Sequence, residues 1–164
     1  MEVSRVQNTL IITEEPNRLF HIQCRLMSEQ ALLDFNRLVP TPQRMRSIVL
    51  GRLSWGGQIL EEWIEIDNKP QPLNSEFKRN LEKQYGASNW RDWRLKNWGC
   101  IFPAENTTLH KPSRDRLIYR FETDRVPEQL ITKFNEDFGN FQFSWMVSDN
   151  NSRNVEEALT TYAS

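Results

Sequence analysis

The sequence predicts an α+β fold on three observations. Short runs near both ends alternate apolar and polar residues as half-buried strands do, most cleanly in Arg116 to Glu122 and Phe141 to Val147. Helical spacing falls between such runs, as from Pro127 to Phe138. The middle, residues 41–97, reads as helical and separates the two halves. Without that middle the order is strand, helix, strand, then strand, helix, strand. This is the split βαβ pattern of a ferredoxin-like antiparallel sheet, here with a helical insertion between its halves. At 164 residues the chain is expected to be one domain, able to bury about two-thirds of its unfolded surface, with a tail over 149–164.

Asn8 to Thr13 (NTLIIT) is β-branched and reads as the first strand. Thr13 is a candidate N-cap, with Glu14, Glu15 and Pro16 suited to a first helical turn, and Leu19, Ile22 and Leu26 then form a helical stripe. Ala31 to Val39 reads as a strand ended by Pro40 and Pro42, which cannot donate to a ladder. Gln43 to Leu53 places Met45, Ile48, Val49 and Leu53 on one helical face, and Ser54-Trp-Gly-Gly57 breaks it. A second helix is expected from Gln58 to Asp67, followed by a proline-rich loop over residues 68–72. Ser75 caps a helix bearing Phe77, Leu81 and Tyr85, which Gly86 closes. Ser88 or Asn89 caps the next, which carries Trp90 and Trp93. Cys100 to Ala104 is expected as an edge strand and His110 in a loop. Gly139 stops the helix that begins after Pro127, and Val155 to Tyr162 reads as a weak amphipathic helix.

Composition excludes more than it assigns. With 21 Lys plus Arg against 22 Asp plus Glu, the net charge is −1, so no global field favours nucleic acid or an anionic membrane. Hydrophobic content is only 38%, and nine Phe and six Trp must supply much of the core. Neither a charged-then-apolar leader nor a run of 18 apolar residues occurs, so a cytoplasmic protein without a membrane span is expected. Cys24 and Cys100 are too few and too far apart for a zinc motif. They read as two reduced, buried thiols, with a single disulfide as the alternative.

Two segments resemble a known family. Leu33 to Pro42 (LDFNRLVPTP) resembles the segment LDFN-(R/K)-(I/L/V)-(I/V)-P-x-P of the YubB-like ferredoxin-like domain family of phages and conjugative plasmids. Tyr85 to Gly99 (YGASNWRDWRLKNWG) resembles its second hallmark, YG-x-x-x-W-x-x-W-R-x-x-x-WG. The resemblance spans about residues 8–147. It departs after Gly99, where the family continues TKWNA and this chain has Cys100-Ile-Phe-Pro-Ala104. The resemblance implies the fold and a home on mobile genetic elements; it carries no activity.

Chemistry offers little else. His21 and His110 lie in different elements, and no nucleophile elbow, phosphate loop or metal-ligating motif is present. No cofactor, no metal and no catalysis is the expectation. Trp90, Arg91 and Arg94 bring stacking and phosphate-binding groups together within one helical turn, the basis of a single-stranded nucleic-acid alternative. The preferred reading is a protein that binds and inhibits a host protein, such as a component of a defence system, in the manner of an anti-CRISPR. Its candidate surface is the insertion, with a basic helix (Arg44, Arg46, Arg52), an acidic helix (Glu61, Glu62, Glu65) and Trp55 as the anchor.

Overall fold

The computed structural model describes residues 5–149 and 159–163. In chain order the elements are β1 (Val6–Thr13), α1 (Pro16–Leu26), α2 (Phe35–Leu38), α3 (Gln43–Arg46), β2 (Val49–Trp55), β3 (Gln58–Ile66), β4 (Lys69–Pro72), α4 (Ser75–Tyr85), α5 (Trp90–Asn97), β5 (Glu105–Ser113), β6 (Arg116–Thr123), α6 (Glu128–Phe138), β7 (Gln142–Asp149) and β8 (Leu159–Ala163). They make a mixed α+β protein with two antiparallel sheets. The chain divides into two compact units, residues 1–40 with 97–164, and residues 41–96.

The first unit holds the strand order β5-β6-β1-β7-β8, with every neighbouring pair antiparallel. Strand alternation puts Asn8, Leu10 and Ile12 of β1 on one face, opposite Phe121, Tyr119 and Leu117 of β6 and Val147, Trp145 and Phe143 of β7. All nine are buried. Aromatic rings join the layers by edge-to-face contacts: Trp98 to Phe35 at 5.5 Å, Phe35 to Phe121 at 6.0 Å, Phe121 to Trp145 at 5.8 Å and Trp145 to Phe134 at 5.7 Å. Rings of this size each bury about 150–250 Å², so a chain with few aliphatic residues still closes a core.

One polar group is buried among those rings. Asn8 accepts from Trp145 Nε1 at 3.1 Å through Oδ1 and donates through Nδ2 to Thr123 Oγ1 at 2.9 Å; Thr123 donates in turn to the Arg125 carbonyl at 2.6 Å. The opposite face of the sheet carries Gln7, Thr9, Ile11, Ile118, Arg120, Ser144 and Met146, with His110 of β5 opposite Ile118, and no Phe, Tyr or Trp among the described residues.

Several sequence expectations are corrected in this unit. Residues 31–39 are not a strand, because Asp34 accepts from Asn36 N at 2.9 Å and starts α2. Thr13 stays in β1, and α1 begins at Pro16 without a side-chain cap. Residues 100–104 form a loop rather than a strand, tied down by Asp124, which accepts from Ile101 N and Phe102 N, each at 3.0 Å. His110 lies in β5, not in a loop. α6 does end at Phe138 with Gly139 as its cap, although Gly139 has a right-handed φ of −64° rather than a left-handed one. Cys24 is exposed and only Cys100 is buried; both are free. The expected loop after Asp149 and the start of the expected terminal helix fall at 150–158, outside the described residues, whereas 159–163 pair with β7 as β8.

The second unit is not helical throughout, as the sequence reading held. It contains the meander β2-β3-β4, and only α3, α4 and the α5 segment are helices. Two tight turns build it. Trp55 pairs with Gln58 across Gly56 and Gly57, whose φ values are +59° and +79°, and Ile66 pairs with Lys69 across Asp67 and Asn68, at +53° and +61°. Positive φ at both central residues is the two-residue hairpin geometry that matches strand twist. Pro70 and Pro72 sit in β4, an edge strand, where a missing N–H is tolerated. A bulge in β2 sets Gly51 and Arg52 against Glu61, and the Trp63 ring lies over Gly51, 3.3 Å from where a Cβ would be.

The helices of this unit keep the expected ends at Gly86 and Asn89, but α4 is capped by Asn74 rather than Ser75, which is its first helical residue. Asn74 accepts from Phe77 N at 2.7 Å and starts α4, which ends on Gly86 at φ +79°. Asn89 accepts from Asp92 N at 2.9 Å at the start of α5.

Candidate interaction surface

The β2–β3 hairpin carries the most exposed apolar side chains of residues 41–96. Trp55, at its tip, is 50% exposed, Ile59 is 59% exposed and Ile66 is 51% exposed. They are separate exposed groups rather than one patch, and Trp, the residue at the hairpin tip, is among the types enriched as interface anchors. Trp55 pairs with Gln58 and Ile59 with Ser54, so Trp55 and Ile59 project from opposite faces of the same hairpin.

The charged residues expected to line this surface are dispersed. Arg44 and Arg46 lie on α3, where Arg46 Nε donates to the Thr41 carbonyl at 2.9 Å and Arg44 reaches Gln84 Oε1 at 3.4 Å. Arg52 is on β2, so the three arginines do not share a helix. Glu61, Glu62 and Glu65 are all on β3 rather than on an acidic helix. Alternation puts Glu61 and Glu65 on one face and Glu62 on the other, where Glu62 meets Lys78 Nζ at 2.9 Å and accepts from Asn89 Nδ2 at 3.2 Å. The reading of two helices of opposite charge fails because the basic segment is helical only over α3 before it continues as β2, and the acidic segment is the strand β3.

The nucleic-acid set is bound up in the unit's own structure. Trp90 is half-buried, and its Nε1 donates to the Ile48 carbonyl at 3.0 Å. The Arg94 guanidinium lies 4.9 Å from the Trp90 ring centroid while its Nε donates to Thr41 Oγ1 at 3.2 Å. Arg91 is exposed, 3.6 Å from Asp92. Trp93 is buried.

Elsewhere the surroundings shift titratable groups, Glu122 and Tyr119 among them. In the first unit, a depression of about 230 Å³ is bordered by Arg5, Phe102, Glu105, Glu122 and Asp124. Arg5 bridges Glu105 and Glu122 there. Hydrogen bonds from Gln7 and Asn106, with the nearby Arg5 charge, hold the Glu122 carboxyl below its usual range. Burial pushes the Tyr119 phenol well above its ordinary value, so it stays neutral. Among the described residues no group of three or more His, Cys, Asp or Glu is placed to hold a metal ion. No described helix is long and apolar enough to cross a membrane.

Sequence reasoning missed the meander and with it Ile59 and Ile66. The signal was present: Gly56-Gly57 flanked by apolar runs is a hairpin pattern, and paired prolines at 70 and 72 suit an edge strand. No family model, curated protein or solved structure matches the chain.

Proposed function

We propose that this chain is a non-catalytic, cytoplasmic accessory protein of a phage or plasmid that binds and inhibits a host protein, a component of a defence system being the leading candidate. The observation that carries the reading is Trp55, a half-exposed indole at the tip of a tight hairpin, with Ile59 and Ile66 exposed on the same meander. A rigid turn presents such a ring with little conformational freedom to lose on binding, and buried Trp anchors dominate many interfaces. The two resembling motifs support the mobile-element setting. The order β7-β1-β6-β5, with α1 following β1 and α6 joining β6 to β7, supports reading the first unit as a ferredoxin-like split βαβ sheet interrupted by residues 41–96.

A single-stranded nucleic-acid module is the second reading. It rests on the same strand order, since sheets of that kind stack bases on exposed aromatics. It ranks lower because the face available for stacking carries no Phe, Tyr or Trp among the described residues, only the His110 imidazole, and Trp90 is already covered by Arg94.

The test is capture of bacterial proteins on the full chain, identification by mass spectrometry, and assay of the captured protein's activity with and without this chain. Trp55→Ala is expected to weaken binding of the inhibited partner at least tenfold, about 1.4 kcal/mol. Charge reversal of Arg44, Arg46 and Arg52 together is expected to slow association more than it speeds dissociation. Full affinity in both variants, with loss on a sheet substitution such as Arg120→Glu, would move the interface to the first unit.

A further inference from the structure

The meander is incomplete along one edge. β3 runs from Gln58 to Ile66, but β4 pairs only with Trp63 to Ile66 and stops at Pro72, opposite Trp63. The chain then turns away into α4. Among the described residues, no strand lies beside β3 over Gln58 to Glu62 on the side away from β2, and no backbone hydrogen bond from another element reaches it. An open depression of about 560 Å³ lies there, bordered by Ile59, Leu60, Glu61 and Glu62 and by Pro72 and Leu73 where β4 ends. Arg52 of β2 and Lys78 of α4 complete its border, so the depression reaches from the open edge of β3 onto the adjoining face.

We propose that this notch takes an extended peptide segment of a partner protein, added beside Gln58 to Glu62 as a further strand of the meander. The inference rests on the protein-binding reading above and names its chemistry. An unpaired antiparallel edge offers alternating N–H and C=O groups, and the complement to that row is another extended backbone. Five residues of edge span roughly 17 Å, enough to register a short segment. β4 occupies the same line beyond Pro72, and Lys78 of α4 borders the depression, so the space admits one short strand rather than the full edge of a second sheet. Ile59, Pro72 and Leu73 supply an apolar seat for one side chain of the segment. Lys78 is neutralised by Glu62 at 2.9 Å, whereas Arg52 and Glu61 make no ion pair among the described residues and face the depression. The matching segment is therefore apolar at the seat and carries polar or oppositely charged groups beside it.

The full chain is used to select binders from a displayed library of random 12-residue peptides. Selected peptides are expected to slow hydrogen exchange at backbone amides within Gln58–Glu62 and to lose at least tenfold in affinity when alternate peptide positions are replaced by proline. Leu73→Arg, and separately Ile59→Arg at an already exposed position, should cause a similar loss while Trp55→Ala leaves these peptides bound. Peptides that protect other amides, that tolerate proline throughout, or that ignore both arginine variants overturn the proposal, as does a selection that yields no binder. Dimerisation of the free chain that both arginine variants abolish would overturn it in favour of a second copy as occupant. The two readings fail separately. A host partner whose binding needs Trp55 but ignores Leu73→Arg and Ile59→Arg removes the notch and keeps the protein-binding role. Peptides seated at Gln58–Glu62 without any inhibited partner keep the notch and remove that role.

Discussion

Asn8 shows how a single polar residue fixes a largely aromatic core. Its amide satisfies Trp145 Nε1 on one side and Thr123 Oγ1 on the other, joining β7, β1 and β6 at one level of the sheet. A buried donor left without its acceptor costs about 1–3 kcal/mol. Asn8→Ala should destabilise by at least that range, read from the urea midpoint, because the Trp145 and Thr123 side chains each lose a buried hydrogen bond. A midpoint matching the wild type would mean that the network contributes nothing net. Glu122 acts at the surface and through pH. Its folded pKa lies below the unfolded value, mainly through the hydrogen bonds from Gln7 and Asn106. Its contribution is therefore complete above the ordinary carboxylate range and is lost as pH falls through the folded value. The stability difference between wild type and Glu122→Gln should be present at about pH 7 and vanish near about pH 2; a difference constant across that range would refute the assignment.

At the scale of elements, legibility followed how one-sided each segment's burial is. β6 buries Leu117, Tyr119 and Phe121 on one face, and α6 buries Leu130, Ile131, Phe134 and Phe138, so a single period dominates and both were readable. β3 buries Leu60 and Trp63, which alternation puts on opposite faces, and their spacing of three imitates a helix. The same ambiguity hid β2, whose bulge at Gly51 and Arg52 breaks period two. The turns should have decided the matter, since Gly56 and Gly57 occupy a geometry that only glycine, asparagine or aspartate adopts readily. Neither glycine has a heavy atom within 4 Å of its would-be Cβ, so substitution there probes backbone conformation alone. The double variant Gly56→Ala/Gly57→Ala should destabilise the meander by about 2–4 kcal/mol through two left-handed alanines. Gly56→Asn should be nearly neutral. Hydrogen exchange of the β2 and β3 amides measures both, and equal protection in the alanine and asparagine variants would argue against this turn geometry.

At the scale of the whole molecule, the charge balance and the placement of aromatics bear together on the nucleic-acid alternative. The aromatic cluster at Tyr85 to Gly99 was visible in the sequence, but its use was not, because spacing does not reveal that Trp98 donates to the Val39 carbonyl or that Arg94 covers Trp90. Trp55 was legible as a large ring beside two glycines, its half-exposure being a feature of the structure, whereas the open edge of β3 depends on where β4 stops and has no local sequence signature. Phosphate contacts supply most of the affinity of nucleic-acid binding, and each released counterion steepens its salt dependence. A net charge of −1 supplies no global field for phosphates, and of the tryptophans only Trp55 at the hairpin tip is exposed, the others being buried or, for Trp90, covered by Arg94. Titration with fluorescent single- and double-stranded oligonucleotides at about 150 mM salt should therefore show no saturation below about 1 μM. Sub-micromolar binding with a steep salt slope, abolished by Trp90→Ala or by Arg91→Glu, would show that α5 opens to a strand and would promote the nucleic-acid reading. The same binding abolished only by Trp55→Ala would instead make the hairpin tip the stacking platform, and the protein-binding role would then lose the observation that carries it.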